Sequence, residues 1–148
     1  MKEGSIGPVN VDVVVMPESF QLTTGGAVTG QLWLHFAMPV GIPRAVPEAN
    51  WFDFPVPVLS WWLEALARVA SGSDAALRFM DGPYVLALMP SSAGLLLFRG
   101  EGFEEEAPVA SFEASLRAAA MLTLAECERR GWSSRDILEL RQRSRAAR

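Results

Sequence analysis

Two aspartates, Asp53 and Asp81, are the loop carboxylates of this chain that have apolar neighbours. Two carboxylates in unlike environments can act as general acid and general base, so the pair is the first candidate for catalysis. Asp81 is explained by a turn, however, because Asp-Gly between two apolar runs is a hairpin signal. Asp53 is expected to bond to backbone N–H groups close by in the chain. The two aspartates therefore do not predict an enzyme.

The other side chains that could carry chemistry lack partners in the sequence. His35 is the only histidine, so a catalytic triad or a His-based metal site has no second member. Cys127 is the only cysteine, which excludes an intrachain disulfide, and it lies in a helix-like run where a small buried residue is expected. No glycine-rich loop has the lysine of a phosphate-binding site. We therefore expect no catalytic residues, no cofactor and no metal.

The composition is typical of one globular domain: the chain has 148 residues, of which half are hydrophobic and a fifth are charged. A chain of this length buries roughly 68–70% of its unfolded surface, so it can fold without a disulfide or a metal. No segment reaches the ~18 apolar residues of a membrane span. The N-terminus lacks the apolar core of a signal peptide. We therefore expect a single cytoplasmic domain over residues 1–148.

The net charge of −4 is divided unevenly along the chain. Residues 1–128 hold 6 Lys/Arg and 15 Asp/Glu, a net charge of −9, whereas residues 129–148 hold 7 arginines and 2 acids, a net charge of +5. An acidic body attracts basic partners and repels nucleic acid. We interpret the arginines as a solvated helix face that suits a helix C-terminus, so nucleic acid is not an expected partner. The tail is expected to dock on the acidic segment 101–106 or to hang free.

The strongest helix pattern follows an aromatic and proline-rich stretch at residues 51–57. Pro57 can open a helix and Gly72 can end one, so we predict a helix over residues 58–71. Its apolar face repeats at i, i+3, i+4 and i+7. The residues of that face are Leu59, Trp62, Leu63, Leu66, Val69 and Ala70.

Trp61 lies off the apolar face of this helix, on a stripe that it shares with Glu64 and Arg68. Glu64 and Arg68 are spaced to form an i,i+4 pair. A large aromatic residue on a charged stripe has two interpretations. Either a loop or the sheet covers Trp61, or Trp61 is partly exposed and anchors a partner, since Trp is enriched at binding hot spots.

Strands and two further helices complete the prediction. Strand patterns occur at residues 11–16, 20–24, 28–36, 76–80, 84–89 and 95–99. Segment 100–107 is either a loop or an edge strand, and the three prolines of segment 38–50 predict a surface loop. Helices are predicted over residues 111–130, with Ser111 as N-cap, and over residues 134–145, with Ser133 as cap. The Arg-rich end, about residues 142–148, is expected to fray.

Runs of strands and runs of helices, rather than strict alternation, predict an α+β fold. We expect an antiparallel sheet of about five strands, made of the N-terminal strands and a three-stranded meander. The sheet packs against a central helix and two C-terminal helices. The predicted shared core comprises Trp62, Leu63, Leu66, Leu86, Leu88, Leu97 and Leu116.

Two segments carry a resemblance to known proteins: WFDFPVPVLSWWLEAL at residues 51–66 and FMDGPYVLALM at residues 79–89. They resemble the middle of small bacterial α+β proteins of unknown function, some of which are similar to immunity proteins. The resemblance covers about residues 50–125 and implies a protein that neutralises a toxin by binding it. It carries no catalytic residues.

We therefore predict a non-catalytic protein-binding domain with a basic partner, of which a toxin is one example. The alternatives are a structural or scaffold subunit that associates with itself as a homodimer, and a small-ligand-binding domain. An acidic body with an aromatic anchor suits a basic partner. The candidate partner-binding residues are Trp51, Trp61, Glu101, Glu104, Glu105 and Glu106.

Overall fold

The computed structural model describes residues 8–38 and 41–146. In these ranges the chain forms eight strands and three helices. Their order is β1 Asn10–Leu22, β2 Val28–Ala37, β3 Arg44–Val46, β4 Phe52–Asp53, α1 Pro55–Ala70, β5 Ala75–Arg78, β6 Val85–Pro90, β7 Leu95–Gly100, β8 Phe103–Pro108, α2 Val109–Arg129 and α3 Arg135–Ala146. The predicted α+β class, the antiparallel pairing and the three helices are confirmed.

The strands form two antiparallel sheets, so the prediction of one sheet of about five strands is wrong. Sheet A has the order β1-β2-β3, with β4 also paired to β2, and sheet B has the order β5-β6-β7-β8. The extra strands come from segments whose composition disfavours strands: β3 lies between prolines, and β8 contains three consecutive glutamates. The sheets meet where the backbone N–H of Val9 donates to the carbonyl oxygen of Glu106 at 2.8 Å.

Strand β1 is one long strand where the sequence predicts two. Its pairing register with β2 shifts between Met16 and Gln21, around Pro17. Ser19 bridges this irregularity, because its hydroxyl donates to the carbonyl of Met16 at 2.6 Å and accepts from the N–H of Gln31 at 2.8 Å. A proline removes a ladder donor, and a bulge lets a strand continue past it.

The outer edge of β1 is covered by helix α2. The backbone N–H of Val13 donates to the hydroxyl of Ser115 at 2.7 Å. At the start of β1, the backbone N–H of Val9 donates to the carbonyl of Glu106 in β8, so this end of the strand is also paired. Proteins commonly cover sheet edges in this way, because an open row of N–H and C=O groups pairs with other chains. Strand β5 lies at an edge of sheet B.

The core lies between the sheets and the helices, and it contains six of the seven residues predicted to share it. Trp62 is fully buried, its indole N–H donates to the carbonyl of Arg78 at 2.9 Å, and its ring meets that of Phe79 edge to face. Leu97 is the exception, because its side chain is only half-buried. Its neighbours Leu96 and Phe98 face the core instead.

Helix boundaries differ slightly from the prediction. Helix α1 begins at Pro55, which occupies the first turn, where a missing N–H is tolerated. Helix α2 begins at Val109 after an extended Pro108, so Ser111 is not its N-cap. Helix α3 is capped by Ser134 rather than Ser133, since the Ser134 hydroxyl accepts from the N–H of Ile137 at 3.1 Å.

Helix α3 continues into the arginine-rich end as far as Ala146, and residues 147 and 148 of the segment expected to fray lie outside the described residues. Helix α3 buries Ile137 and Leu140 in the core. The helix docks on α1 and α2, not on the acidic segment 101–106. Arg143 lies 3.4 Å from Glu64 of α1, and Arg117 of α2 donates to the carbonyl of Ser144 at 3.1 Å. Two buried apolar residues fix this position more strongly than the exposed ion pairs do.

The proline-rich segment 38–50 is less irregular than predicted. Its residues 44–46 form β3, which pairs with residues 34–36 of β2. The peptide bond between Val46 and Pro47 is cis. Residues 39 and 40 lie outside the described residues.

Candidate functional site

Trp61 is on the outward side of α1 and is 38% exposed. Its position follows from helical geometry, because consecutive residues of an α-helix are separated by about 100°. The next residue, Trp62, is 0% exposed. Of the two interpretations that the sequence leaves open, partial exposure is the one found in the structure.

A groove runs beside Trp61, between the outward stripe of α1 and the edge strand β5. We call it the Trp61 groove, and its volume is about 540 Å³. Its lining includes Trp61, Glu64, Arg68, Asp74, Ala76 and Arg78. The stripe of Trp61, Glu64 and Arg68 predicted from the sequence therefore forms one wall of a real cavity.

The other wall of the Trp61 groove is the open edge of β5. Phe79 donates to the carbonyl of Tyr84 beside β6 at 3.4 Å, so the alternate residues Ala76 and Arg78 direct their backbone groups away from β6. The carbonyl of Arg78 is already bonded to the indole N–H of Trp62. The sequence patterns do not predict that β5 lies beside α1. The short connection between the end of α1 at residue 70 and the start of β5 at residue 75 nevertheless keeps the two elements side by side.

The charges along the Trp61 groove are of both signs. Glu64 Oε1 lies 3.4 Å from Arg143 Nη2, so the expected pair of Glu64 with Arg68 is replaced by a pair with α3. Within residues 8–38 and 41–146, Arg68, Asp74 and Arg78 have no salt-bridge partner. These three side chains can therefore pair with groups of a partner.

Trp51 is half-buried and held on two sides. Its indole N–H donates to Asp53 Oδ2 at 2.9 Å, and its ring meets that of Tyr84 edge to face at 5.2 Å. Its ring also covers Gly82, where an added Cβ would lie 3.4 Å from the indole. Trp51 thus packs the start of α1 against the β5–β6 hairpin, and it is less exposed than Trp61.

Asp53 is 2% exposed and accepts four N–H donors. The donor from Phe54 at 2.8 Å is the local backbone bond that the sequence predicts. The others are the Trp51 indole and the backbone N–H groups of Met80 and Asp81, at 2.9 to 3.3 Å. The partners of this carboxylate are hydrogen-bond donors of the protein itself, so its role is to tie α1 to the hairpin.

The four glutamates of segment 101–106 do not form one continuous acidic patch. Glu104 pairs with Arg99 at 3.1 Å, and Glu106 accepts a hydrogen bond from the hydroxyl of Ser91. Glu105 lies opposite the buried Phe98 in the ladder and is half-buried. Glu101 is exposed in the turn between β7 and β8. Glu101 and Glu104 are therefore the more accessible of the four.

A second cavity, which we call the inter-sheet cleft, has a volume of about 570 Å³. Its lining includes Arg44, Val46, Tyr84, Leu86, Glu101 and Phe103. The guanidinium carbon of Arg44 lies 4.7 Å from the centre of the Phe103 ring, a cation–π contact. The inter-sheet cleft shares no lining residue with the Trp61 groove, so Glu101 and Trp61 belong to different surfaces.

His35 and Cys127 lie outside both cavities. His35 is half-buried and lies opposite Asp12 and Ala45 in sheet A, outside both cavities. Cys127 is fully buried, and burial raises the pKa of its thiol. Across the described part of the chain, no group of three or more His, Cys, Asp or Glu side chains is placed to hold a metal ion. No described helix combines the length and apolar character needed to cross a membrane.

The chain matches no protein-family model, no curated protein and no solved structure.

Proposed function

We propose that this chain is a non-catalytic protein-binding domain whose contact with its partner centres on the Trp61 groove. The observation that carries the proposal is the 38% exposure of Trp61 at the wall of a groove of about 540 Å³. A tryptophan buried on binding supplies a large apolar contact, and such residues carry much of the binding energy of interfaces. Charged side chains beside it would form the polar rim.

The proposed partner is a basic protein, and the proposed role in the cytoplasm is neutralisation of a toxin of that kind. Residues 1–128 carry a net charge of −9, which would speed the encounter with a basic partner. Glu101 and Glu104 are exposed and would act mainly on the association rate. The immunity-type role rests on the resemblance of residues 51–66 and 79–89, and on this charge.

The first experiment compares Trp61→Ala with Phe52→Ala in binding kinetics. The partner is first obtained by affinity capture at low salt from the organism that makes the chain. Trp61→Ala should raise the dissociation rate roughly 30-fold or more, equivalent to ~2 kcal/mol. Phe52 is the matched control, because it is an aromatic residue that is 52% exposed and lies outside both cavities. Equal dissociation rates for Trp61→Ala and the unmodified chain would contradict the proposal.

The second experiment tests the role of charge. The double variant Glu101→Lys with Glu104→Lys should lower the association rate and reduce its dependence on salt, because rim charges act on encounter. The dissociation rate should change little. An association rate that does not respond to this charge reversal would show that the partner is not basic.

A small-ligand-binding function is the second candidate, and the inter-sheet cleft is the observation that favours it. The cleft has a volume of about 570 Å³, within the range of ligand pockets, and places Arg44 and Glu101 around apolar side chains. Val46→Trp should fill the cleft without reaching the Trp61 groove. If a metabolite raises the melting temperature of the unmodified chain but not of Val46→Trp, the ligand-binding function is supported.

A further inference from the structure

The edge strand β5 presents unpaired backbone groups to the Trp61 groove. Ala76 and Arg78 direct their N–H and C=O groups away from β6, because bonded residues alternate along an antiparallel strand. Trp62 bonds to the carbonyl of Arg78. The N–H and C=O of Ala76 and the N–H of Arg78 have no hydrogen-bond partner among the described residues. A row of such groups on an edge strand is a template for a further strand.

The length of the Trp61 groove limits what can pair with these groups. Arg68 and Asp74 lie at the end of the groove near the connection between α1 and β5. The bond from Trp62 to Arg78 marks the other end, so Trp61 lies near Arg78. The wall of α1 from Trp61 to Arg68 is ~10 Å long, at ~1.5 Å per residue. An extended chain advances ~3.3 Å per residue, so about three residues fit beside β5.

The position of α1 argues against a second copy of this chain as the added strand. Trp62 reaches the carbonyl of Arg78, which points away from β6, so α1 extends past the edge of sheet B. Two copies that paired their β5 edges about a two-fold axis would carry both α1 helices on the same face of the joined sheet. The paired strands would lie ~4.8 Å apart, whereas a helix with its side chains is ~10 Å wide. A single extended segment avoids this collision.

The free charges and the exposed aromatic residue indicate the side chains of such a segment. Arg78 has no salt-bridge partner within residues 8–38 and 41–146. A residue directly opposite Arg78 in an added strand shares its face of the sheet, so an acidic side chain there forms an ion pair. The adjacent residue points to the core face, on which α1 lies, and an apolar side chain there contacts Trp61.

We propose that the partner inserts an extended segment into the Trp61 groove, where it adds to sheet B as a strand beside β5. The inference rests on the proposed protein-binding function and states which part of the partner is bound. About three residues pair with Ala76 and Arg78 through main-chain hydrogen bonds, which supply affinity. An acidic side chain beside Arg78 and an apolar one beside Trp61 supply specificity. The basic character proposed for the whole partner acts on encounter over a longer distance and is compatible with one acid in the bound segment.

The experiment selects random peptides of about nine residues, displayed on phage, against the unmodified chain. Selected peptides should carry an acidic residue next to an apolar residue. The tightest peptide is then synthesised with one N-methyl group at each amide in turn, and its binding is measured by calorimetry. A methyl group on the amide that bonds to the carbonyl of Ala76 should weaken binding roughly tenfold or more. Methyl groups on the two adjacent amides, which point away from β5, should change it less than about twofold.

Ala76→Pro tests the added strand from the side of the protein. The proline removes an N–H that does not bond to β6, and edge strands tolerate proline at such positions. It should weaken peptide binding roughly tenfold or more. Ala76→Val is the matched control, because it keeps the N–H and suits a strand, so it should bind the peptide like the unmodified chain. The N-methylated peptides require no substitution, so they test the inference even if Ala76→Pro fails to fold.

The outcomes separate this inference from the proposed function. Peptide binding that is lost in Ala76→Pro and sensitive at one amide between two insensitive ones supports the added strand. Any peptide whose binding survives Ala76→Pro overturns the inference, and so does a selection that yields no binding peptide. Whole-partner binding that falls in Trp61→Ala but not in Ala76→Pro overturns only the inference, whereas binding that ignores Trp61→Ala overturns the proposed function. A chain that forms a dimer in sedimentation velocity, and a monomer as Ala76→Pro, overturns the inference in favour of a second copy.

Discussion

Replacing Asp53 should strongly destabilise the fold, although the sequence alone predicts for it only hydrogen bonds to nearby backbone N–H groups. Its carboxylate is 2% exposed and accepts from Trp51 Nε1 and from the backbone N–H groups of Phe54, Met80 and Asp81, at 2.8 to 3.3 Å. A hydrogen bond to a charged group contributes ~1.5–3 kcal/mol. The donor residues are partly exposed, so water would replace some of these bonds in a variant. We therefore expect Asp53→Ala to lower the free energy of unfolding by ~3–5 kcal/mol.

Asp53→Asn separates the loss of acceptors from the loss of side-chain volume. The amide has nearly the same shape but retains one acceptor oxygen. With that oxygen at the Oδ1 position, the bonds from Phe54 and Met80 survive, while the amide nitrogen faces the Trp51 indole N–H. We expect a loss of ~2 kcal/mol, intermediate between the unmodified chain and Asp53→Ala.

Urea unfolding followed by circular dichroism measures both variants. With a slope of ~2 kcal/mol per molar urea, the midpoint should fall by ~2 M for Asp53→Ala and by ~1 M for Asp53→Asn. Asp81→Asn is the control, because it removes the same charge from an exposed turn residue whose side chain is not part of these bonds. It should change the free energy of unfolding by less than ~0.5 kcal/mol. If Asp53→Ala behaves like this control, the four bonds do not hold α1 to the hairpin.

Three further predictions concern the core and the end of α2. Trp62→Ala removes a side chain that is 0% exposed and should cost ~3–5 kcal/mol in a urea titration, whereas an unchanged midpoint would contradict the assigned core face. Cys127, whose thiol pKa is raised first of all by burial, should react with a disulfide reagent only after unfolding, and rapid reaction in the native state would contradict its burial. Hydrogen bonds from Arg129 and then Arg130 lower the pKa of Glu126 from 4.5 to about 2. The folded state therefore gains stability from this carboxylate above pH 4.5 and loses it as the pH falls through about 2, so the melting temperature of Glu126→Gln should be lower than that of the unmodified chain at neutral pH and should approach it below pH 2.

Patterns that act over a few residues were predicted well from the sequence. The i, i+3, i+4 and i+7 spacing places Trp62, Leu63 and Leu66 in the core. The same spacing places Trp61 off the apolar face but leaves open whether another element covers it, and the structure shows it 38% exposed. The hairpin at Asp81 and Gly82 forms as well, with Gly82 at φ 87°. The reason is that helical period and turn chemistry are properties of adjacent residues and do not depend on the rest of the fold.

The candidate site was predicted only in part. The stripe of Trp61, Glu64 and Arg68 on α1 was expected, but the groove beside it and its second wall from β5 were not. The acids of segment 101–106 were expected to act together, whereas the β8 ladder pairs Glu104 with Arg99 and sets Glu105 beside Phe98. Strand alternation separates neighbouring residues onto opposite faces, and the sequence leaves open whether segment 100–107 forms a loop or an edge strand.

The sequence by itself determined the α+β class, the three helices and the position of Trp61 off the apolar face of α1, because local periodicity decides each of them, whereas the partial exposure of Trp61 depends on what packs beside α1. Only the tertiary structure decided that the strands divide into two sheets, that Asp53 binds a hairpin almost thirty residues away, and that α3 docks on α1 and α2. It also decided that Leu96 faces the core and Leu97 faces outward. In an unbroken apolar run both faces of a strand look alike, so the side that becomes the core depends on which distant elements pack against it.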